Sequence, residues 1–142
     1  MQQGTIVALH IARVKETPSA PVREATAISA QGLEGDRSCK VGNPRQVLVM
    51  DRETLNELGL QPGQIKENIT TAGLDLSQAS PGQVFFIGEQ VTLEIVGPCT
   101  PCGKMDAIRP GLQARLKGRR GMLTMVINGG PIQVGDPIRI EP

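Results

Sequence analysis

Short runs of Val, Ile, Leu and Thr alternate with glycine- and proline-bearing segments along most of the chain, the pattern of a turn-rich β protein. In Thr5–Val14 (TIVALHIARV), Val7, Leu9 and Ile11 recur every second residue, which predicts a strand with those three on one face. A loop from Pro18 to Pro21 follows, and Val22–Ile28 predicts the returning strand. Gln46–Met50 (QVLVM) is a short apolar run, suited to a strand covered on both faces. Asp51 is placed to cap a helix over Arg52–Leu58 that Gly59 ends, with Leu55 and Leu58 on a shared face. Gln83–Ile87 and Val91–Val96 flank Gly88-Glu89-Gln90 and predict a hairpin. A second short helix is expected from Pro110 to Gly118. Met122–Ile127, a turn at Asn128-Gly129-Gly130-Pro131, then Ile132–Val134 and Pro137–Ile140 complete the pattern as strands. Together these elements predict a mainly β fold, a closed or nearly closed β-barrel decorated by two short helices.

The size of the chain, 142 residues, predicts one domain over 1–142 with enough buried surface for a true core. Its 17 Gly and 11 Pro are spread along the sequence, with no repeat and no low-complexity tract. Fifteen basic against 14 acidic residues leave a formal charge of +1, and the aromatic residues are Phe85 and Phe86 alone. That balance lacks both the basic excess and the stacking aromatics of a nucleic-acid binder, so no nucleic-acid partner is expected. No apolar stretch approaches the roughly 20 residues of a membrane helix. The first residues, MQQGTIVALHIARVKE, lack the features of a signal peptide, and the expected location is the cytoplasm. In that compartment Cys39, Cys99 and Cys102 are expected to stay reduced.

Charge is unevenly placed. Between Asp51 and Glu94 lie seven acids and two bases, whereas between Cys99 and Arg120 lie Lys104, Arg109, Arg115, Lys117, Arg119 and Arg120 against Asp106 alone. This basic stretch fits either a solvated surface or an edge that gathers anions. It begins at Cys99-Thr100-Pro101-Cys102, where each cysteine follows a proline and the pair follows a predicted strand. Neighbouring cations favour the thiolate, the form that attacks sulfur and binds soft metals.

Three chemistries suit such a pair. A thioredoxin-type couple needs the motif at a helix start in a βαβ pattern, which the β-rich surroundings do not offer. Half of a structural zinc site needs further ligands, for which Cys39 and His10 are the remaining candidates. The third is a lone thiolate that carries sulfur or binds a soft metal, with the bases holding an anionic partner. Elsewhere, Gly32-Leu33-Glu34-Gly35-Asp36-Arg37 allows a tight backbone that Asp36 and Arg37 brace or that meets an anion. Glu67-Asn68-Ile69-Thr70 fits a barrel-closing network or a ligand contact. Gly118-Arg119-Arg120-Gly121 offers adjacent guanidinium forks for phosphate or carboxylate.

In this order, GLEGDR (32–37), RQVLVMDRE (45–53), ENIT (67–70), PCTPCGKMD (98–106), GRRG (118–121) and GGPIQVGDPI (129–138) resemble a MOSC domain, the module also found at the C-terminus of molybdenum cofactor sulfurases. The resemblance implies a β-barrel with a few helices, like the barrel domain of pyruvate kinase, that handles molybdenum cofactor or its sulfur. In related reductases of N-hydroxylated compounds, the cysteine at this place is a molybdenum ligand. The position matches Cys102 first and Cys99 second, either as a persulfide carrier or, for Cys102, as a molybdenum ligand. By the same resemblance Lys104, Arg119 and Arg120 would hold the cofactor's phosphate or the polar edge of its pterin, with Arg37 and Asn68 as further contacts. Many members have His after the Asp-Arg pair, where this chain has Ser38 and Cys39, so Cys39 becomes a candidate third thiol. Pyridoxal phosphate is expected only on a partner protein, and the expected partner is a cysteine desulfurase or a molybdoenzyme.

Overall fold

The computed structural model describes residues 2–14 and 18–141. In chain order its strands are β1 (Gln2–Ile11), β2 (Ala20–Val22), β3 (Glu24–Ile28), β4 (Gly32–Leu33), β5 (Val47–Asp51), β6 (Ile69–Ala72), β7 (Val84–Ile87), β8 (Val91–Pro98), β9 (Met122–Asn128), β10 (Gly130–Gln133) and β11 (Pro137–Glu141). The helices are α1 (Arg52–Glu57), α2 (Lys104–Ile108) and α3 (Leu112–Arg115), with one 3₁₀ turn at Leu76–Gln78. Neighbouring strands run β11-β7-β8-β9-β5-β6-β1, and pairing of β11 with β1, Gln2 opposite Ile140, closes a seven-stranded barrel. Strands β10, β3 and β4 form a small second sheet. The expected closed, mainly β barrel with a few short helices is the observed fold.

Strand β5 organises the interior. Successive residues of a strand point to opposite faces, and all of Val47, Leu48, Val49 and Met50 are buried. Val47 and Val49 join the barrel core with Ile6, Leu9, Ile69, Phe85, Leu93 and Ile138. Met50, on the other face, belongs to a second cluster with Leu55, Leu58, Leu60, Ile65, Met105, Leu112 and Leu116. All barrel pairings are antiparallel except β5 with β6. A parallel pair needs a crossover, and α1 with the loop after it provides one, bringing Leu55 to Ile65 over the outward face of β5. Asp51 caps α1 as expected, accepting from Thr54 N–H at 2.9 Å. Gly59, at φ +70°, ends that turn in a conformation that favours glycine.

The structure adds strands β4 and β6, which the sequence pattern does not predict, and departs from that pattern elsewhere as well. Strand β1 starts at Gln2 rather than Thr5, and it ends at Ile11 rather than Val14. Ile6, not Val7, is buried with Leu9 and Ile11, because the register against β6 slips between Ile6 and Ala8 and the bulge inverts the alternation. The single strand expected over Val22–Ile28 is two, β2 on β1 and β3 on β10, so the chain changes sheets at Arg23. The helix expected from Pro110 to Gly118 is preceded by another, α2, so that two short turns flank Arg109-Pro110-Gly111.

If the outer cluster is a true second core, Leu55→Ala destabilises the protein by about 2–5 kcal/mol in urea unfolding, as for other buried leucines. A loss under about 1 kcal/mol would show that this layer contributes little packing.

Candidate functional site

Beside the outer cluster, where β8 ends and β9 begins, lies a cavity of about 110 Å³ lined by Ala12, Asp36, Arg37, Ser38, Arg45, Leu48, Lys66, Asn68, Cys99, Arg120 and Leu123. It gathers parts of four segments singled out in the sequence: the loop at 32–37, RQVLVMDRE (45–53), ENIT (67–70) and the two ends of the cysteine–arginine stretch. Gly121 permits that convergence. Its φ is +95°, and a Cβ there would lie 2.4 Å from the Val49 carbonyl oxygen, so only glycine lets the start of β9 press this closely on β5. The Gly121 carbonyl accepts from Cys99 N–H at 2.8 Å, which ties the thiol-bearing residue to the neighbour of Arg120.

Buried polar groups brace the rim. Asp36 Oδ1 accepts from Ala12 N–H at 2.9 Å and from Asn68 Nδ2 at 3.1 Å, and its Oδ2 accepts from Ser38 N–H at 3.1 Å. Asn68 Oδ1 accepts from Leu48 N–H at 3.0 Å, and Nδ2 also donates to the His10 carbonyl at 3.2 Å. The amide of Asn68 therefore joins β1, β5 and the 32–37 loop, and its polar atoms are committed to scaffold. Asp36 braces the loop in the same way, while Arg37 lines the cavity with an exposed side chain.

Arg120 carries the electrostatics. Its side chain is only 7% exposed. Nη2 donates to the Ile65 carbonyl, but the buried Nη1 has no hydrogen-bond partner. Burial lowers the Arg120 pKa from its usual range; Cys99, Glu67 and Cys102 act to raise it, and Arg45 adds to the lowering. Arg45 Nη2 lies 4.0 Å from Cys99 Sγ. The turn that presents Ile65 passes through Lys66, whose φ of +68° is uncommon for a side-chain-bearing residue. Beyond it, Glu67 is fully buried. Its Oε2 accepts from Gly63 N–H at 2.9 Å and from the Thr70 hydroxyl at 3.0 Å, while Oε1 has no partner. A buried guanidinium with an unpartnered N–H, a buried thiol and two further arginines thus line one cavity.

A family model for the MOSC domain matches residues 36–139. The chain belongs to the MOSC domain family. That family is associated with molybdenum cofactor binding or sulfurase function. No curated protein matches the sequence. The YuaD protein of Bacillus subtilis has a similar fold, with a TM-score of 0.83 at 20% identity, over 99% of this chain and 98% of that one. YiiM of Geobacillus stearothermophilus aligns with a TM-score of 0.76 at 20% identity, over 98% and 75% of the two chains. YiiM of Escherichia coli gives 0.71 at 24% identity, over 100% and 70%.

In this MOSC domain the expected site residues separate. Cys99, Arg120, Arg37 and Asn68 meet at the cavity; Cys102, Lys104 and Arg119 do not line it. Cys102 and Lys104 are exposed, and Arg119 pairs with Glu57 on α1. Arg109 also turns to α1, donating to the carbonyls of Leu58 and Gly59. Much of the basic stretch thus fastens the helical segment instead of forming one anion edge. Cys39 is half-buried outside the cavity lining, with its thiol pKa raised by burial first and then by Asp36 and Glu34. Among the described residues, no group of three or more His, Cys, Asp or Glu side chains is placed to hold a metal ion, so Cys39 and His10 do not complete a zinc site with the cysteine pair. Arg45 and Lys66 were not singled out by the sequence. The available signal for Arg45 was its place immediately before the apolar run of β5.

Two measurements test this frame. Gly121→Ala is expected to cost more than about 1 kcal/mol in thermal or urea unfolding and to loosen the cavity, because its Cβ meets the Val49 carbonyl. An unchanged midpoint would contradict the required close approach. His10 is buried, and desolvation lowers its pKa below 6.5, with Glu67 opposing. The unfolded chain therefore binds a proton that the folded chain resists, so stability falls as pH drops below about 6.5. His10→Gln should flatten that acid limb; an identical pH dependence in the variant would exclude His10 as its source.

Proposed function

We propose that this MOSC domain handles the molybdenum cofactor or its sulfur at the Cys99–Arg120 cavity, with Cys99 as the thiol that bears sulfane sulfur or ligates the metal. The observation that carries this is the unpartnered Nη1 of a buried Arg120 in the same cavity as a buried thiol. An anion there satisfies the guanidinium, and the adjacent sulfur supplies a soft donor.

The donor set fits one end of such a cofactor. At ~30 Å³ per water, the cavity has room for about four waters, enough for a phosphate or oxo-metal group but not for a pterin ring system. Arg120, Arg45 and Arg37 would hold the anionic end, and Cys99 would face its metal or sulfur. When bound, the cofactor supplies a metal centre that takes up a terminal sulfur or exchanges electrons with a substrate. The chain's own residues fix the anion, exclude water from the thiol and hold that thiol under a positive field. Sulfur or electrons must come from a second protein, and a pyridoxal-phosphate cysteine desulfurase suits the sulfur role. Cytoplasmic residence fits free thiols, and no helix among the described residues is long and apolar enough to cross a membrane.

The test is retention of cofactor released anaerobically from a molybdoenzyme and detected by the fluorescence of its oxidised pterin. Wild type is expected to retain it through gel filtration, while Cys99→Ala and Arg120→Met retain at least about tenfold less, the scale of one lost charge-assisted contact. Equal retention by both variants would refute the site.

A further inference from the structure

Two thiols three positions apart lie in different surroundings. Cys102 is exposed and outside the cavity, whereas Cys99 is 5% exposed and lines it. A protein-bound sulfur donor is too large to enter a space of about 110 Å³, but it can reach a surface cysteine. We propose that Cys102 is the loading port and Cys99 the delivery thiol of a two-step sulfur relay. This rests on the sulfur-handling role proposed above.

In the first step, the Cys102 thiolate attacks the outer sulfur of a cysteine persulfide on the donor protein. A bond forms between Cys102 Sγ and that sulfur, the donor's S–S bond breaks, and the donor leaves as a thiolate. In the second step, Cys99 Sγ attacks the outer sulfur of the Cys102 persulfide. The new bond is Cys99 Sγ–S, the bond broken is Cys102 Sγ–S, and the proton of Cys99 passes to the released Cys102 thiolate. No net oxidation or reduction occurs in either step, since the sulfane sulfur moves between equivalent thiols.

Direction comes from the cavity. A persulfide anion on Cys99 gains the free Nη1 of Arg120 and the nearby Arg45 fork, whereas a surface persulfide on Cys102 lies outside the cavity that they line. Only two residues, Thr100 and Pro101, separate the two thiols, so the exposed sulfur is carried on the same short loop as the one in the cavity. The intervening segment is anchored on both sides. Cys99 N–H donates to Gly121 at 2.8 Å, and the Pro101 carbonyl accepts from Gln113 Nε2 at 3.3 Å.

The experiment loads the reduced full chain, Cys99→Ser and Cys102→Ser from two donors: a cysteine desulfurase with free cysteine, and hydrodisulfide, a two-sulfur anion small enough to enter the cavity that transfers its outer sulfur and leaves as hydrosulfide. Peptide mass spectrometry locates the added sulfur atom over time. From the desulfurase, sulfur should appear on Cys102 first and accumulate on Cys99 in wild type, and stay on Cys102 in Cys99→Ser. Cys102→Ser should load Cys99 at least about tenfold more slowly from the desulfurase, yet at the wild-type rate from hydrodisulfide, because access alone is lost. Wild-type loading of Cys102→Ser by the desulfurase would overturn the port while leaving sulfur carriage intact. Failure of Cys102→Ser with both donors, or accumulation on Cys39, would overturn Cys99 as the acceptor. A wild-type chain that takes sulfur from neither donor would overturn the sulfur-carrying role itself.

Discussion

A strand that is apolar on both faces needs cover on both, and β5 imposes that requirement on the whole molecule. One face completes the barrel interior through Val47 and Val49; the other draws in a second layer around Met50. The cover for the outer face is the crossover that the parallel β5–β6 pair demands. It carries Leu58, Leu60 and Ile65 into place, and with Ile65 comes the carbonyl that accepts from Arg120. The site is thus a by-product of packing: its cation is held by the loop that seals the outer layer.

Satisfaction of polar groups is divided sharply across this region. Asp36 and Asn68 exchange hydrogen bonds with three segments and have the character of a closed network, which fixes geometry. Arg120 and Glu67 are different, since each is buried with one terminal atom bonded and the other without a partner. Unpartnered buried atoms cost stability, and a fold retains them most readily where a ligand completes them. The rigid network and the incomplete pair are side by side, so a bound anion would find a cation already oriented.

Much of the architecture could be read from residue patterns because it follows from local rules. The doubly covered run at 47–50, the Asp51 cap with its Gly59 stop, and the 83–96 hairpin depend on neighbours in sequence. What escaped those rules was set by distant pairing. The bulge that puts Ile6 rather than Val7 inside is a slip against β6, and no feature of TIVALHIARV marks it. The site was partly visible for the same reason. Cysteines beside bases signalled chemistry, but which thiol turns inward depends on Cys99 pairing with Gly121, and which arginines are drawn away from the cavity depends on Glu57 and the end of α1. The roles of Arg45 and Lys66 came only from the folding together of β5 and the 63–67 turn.

The clasp between the helical segment and α1 has a consequence for how that segment responds to solvent. Its two ties differ in kind. Arg119 meets Glu57 through an ion pair with both side chains substantially in water, so added salt screens it. Arg109 holds backbone carbonyls, neutral acceptors that leave no opposing formal charge to screen. Raising ionic strength therefore weakens the Arg119 tie alone, while Arg109 and the burial of Met105, Leu112 and Leu116 keep the segment in place.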